Sequence, residues 1–216
     1  MKFQNLFLAA LSGCTLTVIC LFGDVRAADT CAGVAMEKIV CIRHGEKPDA
    51  DLGQLNCKGL NRALALPEVL VSHYGKADFI FAPLTSIRSK KSGKSFSYIR
   101  PLMTIEPTAI RLGLPVDTRF AFDDIESLKT ELISPAYQRA LIFVAWEHAK
   151  LAEMLQSLVK TLDGDPASIP NWDGDDFDSI YLITIRTENG KRTASFQQDH
   201  EGLNDLKTDC AGAAGK

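Results

Sequence analysis

The sequence predicts an α/β domain, a three-layer sandwich whose mainly parallel central sheet is flanked by helices. Three observations predict it. Short apolar or β-branched runs recur along the chain, leucine-rich segments with helical spacing separate them, and polar side chains suited to ligands follow two of those runs directly. Strands joined through helices run parallel, and a parallel sheet needs cover on both faces.

Before the first element, Lys2 precedes an apolar stretch over 6–22 and then Val25-Arg26-Ala27, compact residues of the kind signal peptidase accepts. Residues 1–27 are therefore expected to be a signal peptide and 28–216 the mature domain, exported to a periplasm or secreted. Two rival readings are a lipoprotein box at Leu11-Ser12-Gly13-Cys14 and a membrane anchor. The apolar stretch is shorter than the about 20 residues that spanning takes, so stable insertion of the mature chain is not expected.

Taken in order, 37–42 is a β-branched run and reads as the first strand. Segment 58–74 carries Leu60, Leu64, Leu66, Val69 and Leu70 at mixed helical spacing, and 79–82 is a short apolar strand. Segment 95–112 reads as helical, with Pro101 and Pro107 marking breaks or first turns. Residues 141–146 form another buried strand, followed over 150–162 by an amphipathic helix with Leu151, Leu155, Leu158, Val159 and Leu162 on one side. Strands over 180–185 and 193–197 close the sheet, paired through a hairpin turn at Asn189-Gly190. There are no internal repeats, and no composition shift marks a second domain.

Composition narrows the partners. With 216 residues, 46% apolar, 24% charged and a formal charge of -3, the chain has material for one core and no polybasic face, so nucleic acid is not an expected partner. Loss of Cys14 and Cys20 with the signal leaves Cys31, Cys41, Cys57 and Cys210, which allow three pairings. Cys31 and Cys210 lie near the two mature termini, which favours that bridge, while Cys41 sits inside a strand as a buried thiol.

Ligands of open α/β sheets bind beyond the carboxyl ends of the strands. Arg43-His44-Gly45 ends one strand and Trp146-Glu147-His148 ends another, placing two of the four histidines at equivalent positions. A neutral imidazole is a nucleophile towards phosphorus near neutral pH. Gly45 permits close backbone approach, and a guanidinium grips two phosphoryl oxygens at once.

The blocks "RHGEKP", "LNCKGLNRALALP", "SYIRPLMTIEPTAIRLGLPV" and "FVAWEHAKL", in that order, resemble the histidine phosphatase superfamily, in its small phosphatase branch with the phosphoglycerate mutase-like fold. The resemblance implies a phosphomonoesterase acting on a small phosphorylated substrate without a metal or other cofactor. It implies that His44 is transiently phosphorylated, that Arg43, Arg100 and His148 hold the phosphoryl group, and that a carboxyl group protonates the leaving oxygen. Arg88, in "IFAPLTSIR", competes with Arg100 for the second arginine, and Arg100 is favoured. The proton donor is expected at Asp124, with Asp123 and Glu126 as alternatives; capping of a helix beginning near Ile125 is the structural alternative for each. Glu46 is expected to contact substrate or to orient a neighbour, and Arg62 to have a packing or surface role.

Three other classes fit the same residues. A phosphomutase would return the phosphoryl group to a second hydroxyl, and a non-catalytic module would only bind a phosphorylated ligand. A metal-dependent hydrolase would use His44 and His148 as ligands. Asp173, Asp175, Asp176 and Asp178 depart from the calcium-loop pattern at Phe177 and read as a solvated loop.

Overall fold

The first strand is apolar on both faces because helices cover both. In the computed structural model, which describes residues 34–49, 52–86, 88–91 and 94–210, β1 (Ala35–Arg43) alternates buried and exposed residues at its start and is fully buried from Ile39 on. The expected signal peptide and Cys31 lie outside the described residues.

The chain then runs α1 (Cys57–Tyr74), β2 (Phe79–Phe81), β3 (Arg88–Lys91), β4 (Lys94–Ser97), α2 (Arg100–Leu112) and β5 (Val116–Asp117). It continues with α3 (Ile125–Leu132), β6 (Leu141–Trp146), α4 (His148–Thr161), β7 (Ser179–Glu188) and β8 (Lys191–His200). The main sheet has the order β5-β2-β6-β1-β7-β8. Its pairings are parallel from β5 to β1, and antiparallel between β1 and β7 and between β7 and β8. Successive side chains of a strand point to opposite faces. Val40, Ile42, Ile80, Phe143 and Ala145 therefore pack with Leu66 and Leu70 of α1 and Ile105 of α2. Ile39, Cys41, Val144 and Trp146 pack on the other side with Leu128 of α3 and Leu151, Leu155 and Leu158 of α4. The architecture is the three-layer α/β sandwich with a mainly parallel sheet.

Two expectations are corrected. Residues 95–97 are not the start of a helix but part of β4, which pairs with β3 in a separate two-stranded sheet. The helix begins only at Arg100 because Pro101, which lacks an amide hydrogen, is tolerated in a first turn. The disulfide joins Cys57 to Cys210, not Cys31 to Cys210. The chain after β8 turns back over α1: Asn61 donates its side-chain amide to the carbonyls of Lys207 and Asp209, which brings Cys210 to the start of that helix. Cys41 is a buried thiol. The β7–β8 turn holds Asn189 at φ 51 and Gly190 at φ 78, the positive values a two-residue hairpin of this kind requires.

Candidate active site

His44 is placed by the sheet itself. Arg43 pairs in register with Trp146, and the His44 amide donates to the Trp146 carbonyl at 3.1 Å, so the first motif continues a ladder that ends beside Glu147-His148. The Gly45 amide donates to Oγ1 of Thr104 (2.9 Å), and that hydroxyl donates to the Arg100 carbonyl (2.9 Å), fixing α2 to the same turn. Helix α1 approaches the turn glycine to glycine. A Cβ on Gly59 would stand 2.3 Å from the Glu46 carbonyl oxygen, and one on Gly45 would stand 3.0 Å from that of Gly59. Asn56 caps α1 through the Gly59 amide and donates to the Lys47 carbonyl, tying helix start to motif.

The imidazole of His44 is 3% exposed. Its Nδ1 lies 2.8 Å from the Gly45 carbonyl, which can only accept, so Nδ1 carries the proton and Nε2 the lone pair. Burial pushes the imidazole down to about 3, with Arg100 and Arg43 adding to the shift and the Gly45 bond and Glu147 opposing it. His44 is therefore neutral across the physiological range. Tyr98 stands edge-on to it at 6.2 Å and Phe177 is 6.3 Å away.

Arg43 and Arg100 are both buried, at 2% and 5% exposure. Nη1 of Arg43 donates to the carbonyls of Asp176 (2.8 Å) and Asp173 (3.3 Å), and its guanidinium lies 3.8 Å over the Phe177 ring. Its Nε is buried with no hydrogen-bond partner among the described residues. The acidic stretch read as a solvated loop thus faces the site with its backbone and with Phe177. Nothing in composition marked it, because the contacts are made by carbonyls.

Arg100 opens α2 and its guanidinium lies 4.8 Å from the Tyr98 ring centre. The competing Arg88 lies on β3. His148 is the first residue of α4, and its Nδ1 is 2.7 Å from Oε1 of Glu147. Oε2 of Glu147 caps the helix by accepting from the Lys150 amide at 2.8 Å. Burial alone would raise the Glu147 carboxyl, yet the His148 imidazole and the Lys150 and Ala149 amides hold it near 2.

Two expected site residues make hydrogen bonds within the protein. Both carboxylate oxygens of Glu46 accept from Arg62, at 3.0 and 2.9 Å, so Glu46 orients its neighbour. Arg62 is fully buried and also binds Glu201 and the Leu203 carbonyl (3.2 Å), with Asp178 at 3.6 Å. Asp124 is the N-cap of α3, accepting from the Ser127 amide at 3.4 Å. Glu126 turns to Lys129 and Ser157. Asp123 lies next to Phe122, whose carbonyl accepts from the Trp146 indole and whose ring is 5.3 Å from Tyr98.

A cavity of about 500 Å³ at the β2–β5 edge is lined by Phe79, Phe81, Val116 and Tyr137 and lies apart from these residues. Its polar rim is paired internally, Arg119 with Asp117 and Glu131, and Tyr137 with Glu131.

Comparison with solved structures finds likenesses at low identity. One is described as a proposed phosphohistidine phosphatase, SixA, from Nakamurella multipartitia: 15% identical, covering 76% of this chain and 96% of its own, with a TM-score of 0.49. A second, described likewise, is from Agrobacterium tumefaciens: 11% identical, covering 74% and 97%, TM-score 0.47. A mycobacterial glucosyl-3-phosphoglycerate phosphatase holding inorganic phosphate is 17% identical, covering 74% and 95%, TM-score 0.46. No protein-family profile and no curated protein sequence matches the chain.

Proposed function

We propose that this chain is an exported phosphatase of the histidine phosphatase type, hydrolysing a small phosphomonoester through a phosphohistidine on His44. One observation carries the reading: a buried, neutral imidazole whose Nδ1 proton is fixed on the Gly45 carbonyl, within the field of two buried guanidinium groups. That arrangement supports Nε2 as the nucleophile and the two guanidinium groups as the positive charge offered to the phosphoryl oxygens of the transition state.

In the first step Nε2 of His44 forms a bond to phosphorus as the P–O ester bond breaks. Arg43, Arg100 and His148 stabilise the nonbridging oxygens, and the departing oxygen takes a proton. We assign that proton to Asp123 in preference to Asp124, because the Asp124 carboxylate is on its helix cap and Glu126 is on Lys129. Water then attacks the phosphohistidine, giving its proton back to the same carboxylate, and phosphate leaves as His44 is regenerated. No step is routed through a metal.

Export is supported by the N-terminal pattern and by the Cys57–Cys210 disulfide, which persists in oxidising compartments. The experiment is turnover of p-nitrophenyl phosphate with chelator present, together with acid-labile, alkali-stable radiolabelling of the protein. Replacing His44 with alanine should remove both signals while leaving the melting temperature within a few degrees. Retained turnover would discard the nucleophile, loss on chelation would favour a metal hydrolase, and isomer formation in place of phosphate release would favour a mutase.

A further inference from the structure

We infer that Tyr98 is a catalytic residue of this site, its hydroxyl donating a hydrogen bond to an oxygen of the phosphoryl group held by Arg43 and Arg100. The inference rests on the phosphatase reading above and adds a donor to it that the motif blocks did not single out.

Tyr98 sits in the short link between β4 and α2, and this link is rigid: the amides of Ile99 and Arg100 both donate to the Gly53 carbonyl at 3.1 Å. Gly53 itself is at φ 78, with the Ser97 carbonyl oxygen where a Cβ would stand, so no other residue fits there. The ring is held on three sides. It meets His44 edge-on at 6.2 Å, Phe122 at 5.3 Å and the Arg100 guanidinium at 4.8 Å. The residue is 4% exposed.

The hydroxyl in this rigid frame is buried, and the side chain that hydrogen-bonds to it is Arg100, which leaves the phenolic proton with no acceptor among the described residues. A buried donor left without an acceptor costs about 1–3 kcal/mol, so the phenolic proton calls for an acceptor from outside the protein. The groups that act on it electrostatically are Arg100, Glu147 and Arg43, all of the phosphoryl site. Arginine only donates, so the Arg100 bond occupies the phenolic oxygen and leaves its proton without an acceptor. A phosphoryl oxygen gripped by the two guanidinium groups supplies that acceptor. Burial keeps the phenol protonated, with Glu147 acting in the same direction and the two arginines against it.

Tyr98→Phe removes the hydroxyl and keeps the ring. The variant should lose roughly 100-fold in kcat/KM, the size of loss seen when one transition-state donor is deleted, and should lose it equally on p-nitrophenyl phosphate and on an alkyl phosphate. Inorganic phosphate should bind the variant roughly 10-fold more weakly in calorimetry, with no fall in melting temperature. Activity and phosphate affinity within twofold of the parent would overturn the assignment. So would a loss confined to the alkyl phosphate, which marks a proton donor to the leaving group. If the parent turns over no phosphomonoester, the phosphatase reading falls, and phosphate binding alone decides: weaker binding by the variant sustains Tyr98 as an anion contact, and equal or undetectable binding by both overturns it.

Discussion

Replacing Arg62 with alanine should be among the most damaging single changes in this protein, although Arg62 touches no substrate in the proposed mechanism. Its guanidinium is fully buried and binds both oxygens of Glu46, the carboxylate of Glu201 and the carbonyl of Leu203. The side chain of Glu201 is also wholly inaccessible and that of Glu46 is 12% exposed. Deletion of the cation leaves buried carboxylates without a partner, which costs about 3–5 kcal/mol. For a domain of this size each kcal/mol shifts Tm by about 2–4 °C, so the midpoint should fall by about 6–20 °C. Arg111, paired with Glu68 at 2.8 Å but about half exposed, is the control: its removal should cost at most about 1 kcal/mol.

The effect should also depend on pH. Burial raises the Glu201 carboxyl to about 8 despite the pull of Arg62, and burial raises Glu37 to about 7 despite Arg192. A carboxyl whose folded value lies above its unfolded value, near 4.5, contributes stability that is full below 4.5 and is lost as the pH climbs to the folded value. Parent stability should therefore decline between about 4.5 and 8, and Glu201→Gln should flatten that slope. Without Arg62, Glu201 avoids its burial cost at pH 5 by staying protonated, so Arg62→Ala should be worse at pH 8 than at pH 5. Urea unfolding followed by tryptophan fluorescence reads both numbers. A cost under about 1 kcal/mol at pH 8 would refute the reasoning.

Gly59→Ala would drive a Cβ to 2.3 Å from the Glu46 carbonyl and should cost about 1–3 kcal/mol while lowering phosphatase turnover, whereas Gly174→Ala, with open space around it, should do neither. Equal melting curves for the two variants would remove the glycine contact from the account. The His44 imidazole signal, identified by its loss in His44→Ala, should stay at neutral-ring shifts from pH 8 down to 5, because its folded value is held near 3; titration near 6.5 would contradict the burial argument. The same depression means that stability is lost as the pH falls from 6.5 towards 3. Reduction of Cys57–Cys210, which closes a 153-residue separation, removes up to about 5 kcal/mol of chain-entropy stabilisation, so a melting midpoint unmoved by reductant would exclude a structural role for the bridge.

The placement of His44 and of His148 was legible because each ends a run that only a strand explains, and strand ends in a parallel sheet face one edge. Helix α2 was misjudged at its start because 95–97 has no strong propensity of its own and becomes strand by pairing with β3. The disulfide was misjudged for a related reason: termini are often close, but which cysteine lies under the returning tail depends on how Asn61 and Arg62 of α1 hold it.

By itself, the sequence determined the layered α/β class, the strands that carry the two motifs, and the chemical kinds of group at their ends, because periodicity and residue type are local properties of the chain. Only the tertiary structure decided which partners these polar groups take: Glu46 pairs with Arg62, Asp124 caps its helix, and the carbonyls of Asp173 and Asp176 accept from Arg43. It likewise decided that Tyr98 sits against His44. A side chain's partner depends on which distant segments are brought within about 3 Å of it, and no local pattern of residues encodes that distance.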